Sequence, residues 1–203
     1  NTATNDGGGM WNSSSSSPTL TDTTVCGNTP DQIYGGWTDN GGNIVADECE
    51  VQTFWTVDDD GKADFDNIQA AIDAASDGDV IIVAPGTYTG SGDEVVNTLG
   101  KEIWLHSSKG AEVTIIDGEQ TRRGILCNSS ETSNTIIEGF TITNGYSTSS
   151  GGGMHNDSSS PTLENCTFTD NTADGGGGMH NEDDSNPTLT NCTFDSNTAD
   201  YGG

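Results

Sequence analysis

The residues able to do chemistry are few, and four groups of them stand out. The densest acidic cluster is Asp58-Asp59-Asp60-Gly61-Lys62-Ala63-Asp64. Calcium takes about six to eight hard oxygens, and acids ahead of a glycine turn supply several, so Asp58, Asp60 and Asp64 are candidate Ca2+ ligands. The spacing is not that of an EF-hand loop, and a solvated turn is the competing reading; Glu182-Asp183-Asp184 is less specific still. Arg122-Arg123 is the basic pair, with Asp117 and Glu119 beside it. Guanidinium groups suit carboxylates, but an ion pair relieving local charge explains this pair better. His155 and His180 hold the same position in two copies of one segment, where a third copy has Trp11. Two stacked imidazoles could bind a metal, yet alternation with an inward Met makes a surface stripe the better reading; His106 stands alone as a structural residue.

Five Cys in an acidic, Ser/Thr-rich chain suggest an oxidising, extracellular or cell-surface setting. Cys26 and Cys49 flank a stretch with little core, where a disulfide has a purpose, against the alternative of two free thiols. Cys127, Cys166 and Cys192 are expected to be core thiols, the last two stacked on adjacent repeats and near enough in principle to bridge. No Ser, His or Cys triad is supported, and no catalytic residue is assigned.

The elements that must position these groups come from a repeat. The 203 residues carry 32 acids against 5 bases, a net charge of −27, 30% hydrophobic residues, 6% aromatics and 28 Gly, so an ordinary two-layer core is thinly supplied. Such a balance argues for disorder unless repeats overturn it. It disfavours nucleic acid, whose phosphates need Lys and Arg, and equally an anionic membrane surface. No apolar run approaches the ~20 residues that span a bilayer. The opening Asn1-Thr2-Ala3, without an initiator Met or a signal peptide, is expected of mature or excised material.

Gly151-Gly152-Gly153-Met154-His155-Asn156 recurs 25 residues later as Gly176-Gly177-Gly178-Met179-His180-Asn181. Pro161-Thr162-Leu163-Glu164-Asn165-Cys166-Thr167-Phe168 recurs 26 residues later from Pro187 to Phe194. Gly7-Gly8-Gly9-Met10-Trp11-Asn12 leading into Pro18-Thr19-Leu20-Thr21-Asp22 is a third copy, and Thr135 to Ile142 a degenerate one. A period of 22 to 26 residues built from short alternating strands predicts a β-solenoid. Leu163, Cys166 and Phe168 then point inward, and Asn165, Asn191 and Asp22 form a ladder at a bend, where Asn tolerates the left-handed conformation. An inward ladder argues against glycosylation of Asn165-Cys166-Thr167 and Asn191-Cys192-Thr193; the sequons at Asn12, Asn128 and Asn156 are expected to be better exposed.

Three segments follow. Residues 1–50 read as a terminal coil and a disulfide-closed, looped tail of a preceding β-helix. Residues 51–79 read as a linker and a helix of Ile68, Ala71, Ile72 and Ala75, opened by a capping box at Asp66-Asn67-Ile68-Gln69 and stopped at Gly78. Residues 80–203 read as about five coils, each adding ~4.8 Å, with Val80–Val83, Ile103–Leu105, Ile125–Cys127, Met154 and Met179 as equivalents.

Phe65-Asp66-Asn67-Ile68-Gln69-Ala70-Ala71-Ile72, followed by Asp77 to Tyr88, resembles the opening of right-handed parallel β-helix proteins of the pectate-lyase-like superfamily. The steps Gly153-Met154 and Phe168-Thr169-Asp170-Asn171, then Gly178-Met179 and Phe194-Asp195-Ser196-Asn197, resemble repeats of polymorphic outer-membrane proteins. The resemblance implies an all-β, right-handed parallel β-helix with a short N-terminal helix capping its first coil. It also raises a polysaccharide lyase, using Asp-bound calcium and a basic residue; Arg122-Arg123 is the candidate uronate pocket, and Trp37, Trp55 and Trp104 are candidate sugar platforms. Asn1-Thr2-Ala3 matches Asn197-Thr198-Ala199 in phase at an offset of 196 residues. The expectation is therefore a structural unit of a secreted bacterial surface fibre or adhesin, its copies joined head to tail or in tandem. A polysaccharide-binding module or lyase is the alternative.

Overall fold

The computed structural model describes residues 4–5, 7–29, 31–41, 43–46 and 52–202. They fall into two compact units, residues 1–51 and 52–203. In the first unit, Met10–Trp11 pairs in parallel with Ile33–Tyr34, Thr19–Leu20 with Thr38–Asp39, and Thr24–Cys26 with Ile44–Ala46. The stretch expected as a looped tail is thus a second short coil. Its strands are only two or three residues long, too short for alternation to show.

The second unit is a parallel β-solenoid. A six-stranded sheet stacks Phe54–Val57, Val80–Val83, Trp104–Ser107, Ile136–Glu138, Thr162–Glu164 and Thr188–Thr190. A five-stranded sheet stacks Gly86–Tyr88, Thr114–Asp117, Thr141–Thr143, Thr167–Thr169 and Thr193–Asp195. A four-stranded sheet holds Glu94–Asn97, Arg123–Cys127, Met154–Asp157 and Met179–Glu182, and a three-stranded one Tyr146–Ser150, Thr172–Gly175 and Thr198–Tyr201. The all-β solenoid with one short helix at its start is the expected fold. Five of the six strands of the largest sheet lie beyond residue 79, and Phe54–Val57 adds a coil before them.

Each short strand offers one large side chain inward, with half-buried neighbours on either side. Those inward groups stack in register: Ile137 under Leu163 under Leu189, Ile142 under Phe168 under Phe194, Ile125 under Met154 under Met179. The Phe168 and Phe194 rings lie 4.8 Å apart and 4° from parallel. One expected equivalence is corrected. Val80–Val83 and Trp104–Ser107 belong to the six-stranded sheet, whereas Ile125, Met154 and Met179 line the four-stranded one. An apolar triplet shows that a strand faces inward, not which face of the coil it occupies.

The helix, Ile68–Ala74, buries Ile68, Ala71 and Ile72 over the first coil. Its N-cap is Asn67, whose side-chain oxygen accepts from Ala70 N at 2.8 Å, so the expected capping box does not form. Gln69 instead pairs with the backbone of Asn97, accepting its N–H at 2.7 Å and donating to its carbonyl at 3.1 Å. The Lys101 ammonium closes the other end by donating to the carbonyls of Ile72, Asp73 and Ala75. Asp79 secures the first coil by accepting from Thr53 N, Ser76 N and Trp55 Nε1.

Buried Glu131 binds three successive coils at one corner. One carboxylate oxygen accepts from Thr98 Oγ1 (2.6 Å) and Gly100 N (2.8 Å); the other accepts from Ser129 N (2.8 Å) and Ser159 Oγ (2.7 Å). Burial alone would push this carboxyl up, but the Thr98 and Ser159 hydroxyls and the two amides outweigh it and hold the pKa below the usual glutamate value. A depressed folded pKa contributes stability that is complete above the unfolded value, near ~4.3, and is lost as pH falls through the folded one. Glu131→Gln turns an acceptor into a donor facing donors, so it should destabilise the fold at neutral pH by about 2–3 kcal/mol. It should also flatten the acid limb of the stability curve. Denaturant melts of both proteins from acidic to neutral pH test this; equal stability at neutral pH contradicts it.

Candidate functional site

The face that closes the second unit differs from every layer below it. Leu163 and Phe168 are 0% exposed, whereas Leu189 and Phe194, in register above them, are 44% and 43% exposed, and Tyr201 is 81% exposed. Among the described residues the last strands, Thr188–Thr190, Thr193–Asp195, Met179–Glu182 and Thr198–Tyr201, are paired on one side only. This leaves a layer of core and a row of backbone donors and acceptors facing outward.

The expected calcium ligands Asp58, Asp60 and Asp64 each have a partner within the protein. Asp58 Oδ1 accepts from Asp60 N at 3.3 Å, Asp60 pairs with Lys62, and Asp64 accepts from both the amide (2.9 Å) and the hydroxyl (2.7 Å) of Thr56. The hydroxyl first, then the amide, lowers the Asp64 pKa. Arg122 pairs with Glu119. Arg123 lies in a cleft of about 390 Å3 with Asp93, Thr121, Tyr146, Ser147 and Thr148. Its guanidinium donates to the carbonyls of Gly151 (2.9 Å) and Ser150 (2.8 Å) and to Ser147 Oγ (3.4 Å). Trp55 packs on Phe65, and Trp104 stacks on His106 at 4.5 Å while its N–H donates to Glu138.

Asn165 and Asn191 turn the bends with φ of 55° and 53°, and Asn191 donates to Asn165 at 3.3 Å, which in turn donates to Glu138. Asp22 turns the equivalent bend of the first unit with φ of 46°. The Asn165–Asn191 ladder is exposed rather than inward, because a bend residue in the left-handed region turns its side chain away from the coil. Sequon exposure is reversed at four positions, Asn165 and Asn191 being exposed and Asn12 and Asn156 buried, whereas Asn128 is exposed as expected. The inward amide ladder is one that strand alternation did not reveal. Buried Asn171 donates to Ile142 O and Asn197 Oδ1 and accepts from Gly145 N, and Asn197 donates to Phe168 O. The recurring Phe-x-x-Asn step is its sequence signal.

His155 and His180 do sit on the outer face, one over the other, but not as a bare stripe. Their rings are 5.5 Å apart at 69° and both face Glu182, with His155 Nε2 at 2.7 Å from one carboxylate oxygen and His180 Nε2 at 3.7 Å from the other. Among the described residues this is the group of three ligating side chains whose atoms lie within 4.8 Å of one another. Burial lowers the His155 pKa despite the Glu182 contact, so its imidazole is neutral at neutral pH. The hydrogen bond from His155 holds Glu182 below the usual carboxylate range.

Cys127 and Cys166 are buried free thiols, and Cys192, in the last described coil, is a half-buried one. Cys49 lies outside the described residues, and with it the expected Cys26–Cys49 pairing. Cys166 Sγ lies 3.6 Å from Ile137 O and Cys192 Sγ 3.6 Å from Leu163 O, the same contact one coil higher. The neighbouring Cys192 sulfur and burial raise the Cys166 pKa. Burial pushes Cys127 up as well.

A family model described as right-handed beta helix region matches residues 62–202. No curated protein and no solved structure matches the chain. Among the described residues no helix is long and apolar enough to cross a membrane.

The thiol ladder makes an ordered prediction. In the folded protein at neutral pH, iodoacetamide should alkylate Cys192 well before Cys127 and Cys166, which should react only on unfolding. Peptide mass mapping over a time course reads this, and equal rates at Cys166 and Cys192 contradict the arrangement.

Proposed function

We propose a structural role for this chain, which belongs to the right-handed β-helix family: a non-catalytic rod unit of an extracellular or cell-surface fibre or adhesin. In this reading the stack of coils is continued by a further copy, joined head to tail or in tandem within one longer chain. The observation that carries this reading is the repeated spacing of the inward groups, which gives the last described coil and the first unit the same stacking pattern. Stacking a coil over Leu189 and Phe194 removes apolar surface at roughly 25 cal/mol per Å2, and the new strands satisfy the outward row of backbone groups.

The occupant is argued from phase. Met10, Leu20 and Val25 have the spacing of Met179, Leu189 and Phe194, so a first unit docked in that register places each over its counterpart. The contact is heterologous and does not close on itself, and so propagates as a fibre. A charge of −27 on each copy opposes it, and added salt or a divalent cation such as Ca2+ favours it by screening. An oxidising environment, with Cys26 paired to Cys49 in the first unit, belongs to the same reading.

The competing reading, a polysaccharide-binding module or lyase, draws on the Arg123 cleft and the half-exposed Tyr146 within it. The existing bonds of Arg123 to Gly151, Ser150 and Ser147, and of Arg122 to Glu119, weigh against a uronate site there.

Light scattering after gel filtration, with negative-stain microscopy of the same fractions, tests the assembly in calcium-containing buffer. The wild-type chain should form head-to-tail oligomers with a regular axial repeat. Leu189→Asp/Phe194→Asp should remain monomeric with an unchanged circular dichroism spectrum below the last coil's contribution. A wild-type monomer at concentrations up to about 1 mM, where even a contact of about 4 kcal/mol shows, rejects head-to-tail assembly of separate copies. Release of unsaturated uronate ends from pectin-type substrates would transfer the reading to the lyase.

A further inference from the structure

We propose that His155, His180 and Glu182 form a binding site for a borderline transition-metal ion of the Zn2+ class, clamping two successive coils. Met154–Asp157 and Met179–Glu182 run parallel in strict register, Met154 beside Met179, His155 beside His180, Asp157 beside Glu182. Met154 points inward, so the residues beside it point out, and Glu182, two residues beyond His180, emerges on the same side. One coil thus supplies His155 and the next supplies His180 and Glu182. Both Nε2 atoms converge on the two oxygens of one carboxylate, and the three ligand atoms already lie within 4.8 Å of one another. Two imidazoles and one carboxylate are a donor set that suits Zn2+, Cu2+ or Ni2+ and not the all-oxygen preference of Ca2+ or Mg2+.

The surroundings prepare the site. The two histidine side chains are 14% and 29% exposed, held on paired strands rather than on a loop, so little ordering is needed. Solvent reaches the outer side of the Glu182 carboxylate, which is 44% exposed, and water completes the coordination there. The inference does not depend on the assembly reading, since both coils belong to one chain.

The test uses untagged, EDTA-stripped protein and Zn2+ alone. Isothermal titration should give one ion per chain at this site, and thermal melts at ~100-fold excess over Kd should rise by about 5–10 °C. Ca2+ at the same concentration should not compete for the ion. His155→Ala and His180→Ala should each weaken binding at least about tenfold and remove most of the thermal shift, and Glu182→Gln, which keeps the shape of the side chain, should do the same in a folded protein. No Zn2+ binding to the wild type, or binding that survives both histidine replacements, overturns the proposal. Failure here leaves the oligomer measurement untouched, so the two ideas fall separately.

Discussion

Hydrogen bonding from each coil to the next is the constraint on which the rest of the second unit depends. In a parallel solenoid a strand's partners are the equivalent strands of the coils before and after it, so its backbone donors and acceptors are met by the layers above and below. Register then follows. Bonds such as Met154 N to Gly178 O, Thr172 N to Gly145 O and Thr198 N to Asn171 O hold successive copies of one residue type in line. Stacking at that spacing leaves little room at the tight corners. A Cβ on Gly145 would lie 2.1 Å from Gly152 O, so this position admits no side chain without moving the backbone.

Such stacking also explains how a chain with 30% hydrophobic residues builds a core at all. A coil has room for only a few inward side chains, and each is covered by the equivalent group one layer away, as Phe168 is by Phe194. Polar groups can enter this interior where they too repeat or are fully met. Asn171 does so by bonding to Asn197 above and Ile142 below. Glu131 does so as a single charge, because four donors from three coils surround it. Buried charge without such partners would be strongly destabilising. Here it ties corners together that apolar contacts alone would leave free to slide.

These devices differ in how far the sequence discloses them. Where coil length is constant, vertical neighbours are legible: Asn165 and Asn191 are 26 residues apart and bonded. Where coil length varies, the partners are hidden. Glu131 reaches Thr98, Gly100 and Ser159 at separations of 33, 31 and 28 residues, which no single period contains. Diagonal contacts are hidden for a related reason. His155 meets Glu182 across 27 residues while the direct register, seen at Asn156 and Asn181, is 25. Hence the histidines read as a stripe, and the carboxylate that they share escaped notice. Gln69 shows a third limit: its fit to a capping-box pattern was local, whereas its actual partner, Asn97, is tertiary.

The same register that builds the core sets acids above acids, and the solution adopted at each step bears on what the outer face can do. Glu138 stands directly beneath Glu164, and Asp157 beneath Glu182. Like charges one strand apart repel, so such steps require a donor or a cation. Around Glu138 the donors are Trp104 Nε1 at 3.1 Å and Asn165 Nδ2 at 3.3 Å, neutral groups that leave no place for an ion. Around Glu182 the partners are two imidazoles, which are also metal ligands. Elsewhere Thr takes the place of an acid, as with Thr143 above Asp117 and Thr190 above Glu164. A chain of −27 charge therefore stacks partly by setting Thr above an acid and partly by giving stacked acids such as Glu138 and Glu182 a specific partner. Of these arrangements, the one at His155 and His180 relieves repulsion with groups that can exchange a proton for a metal.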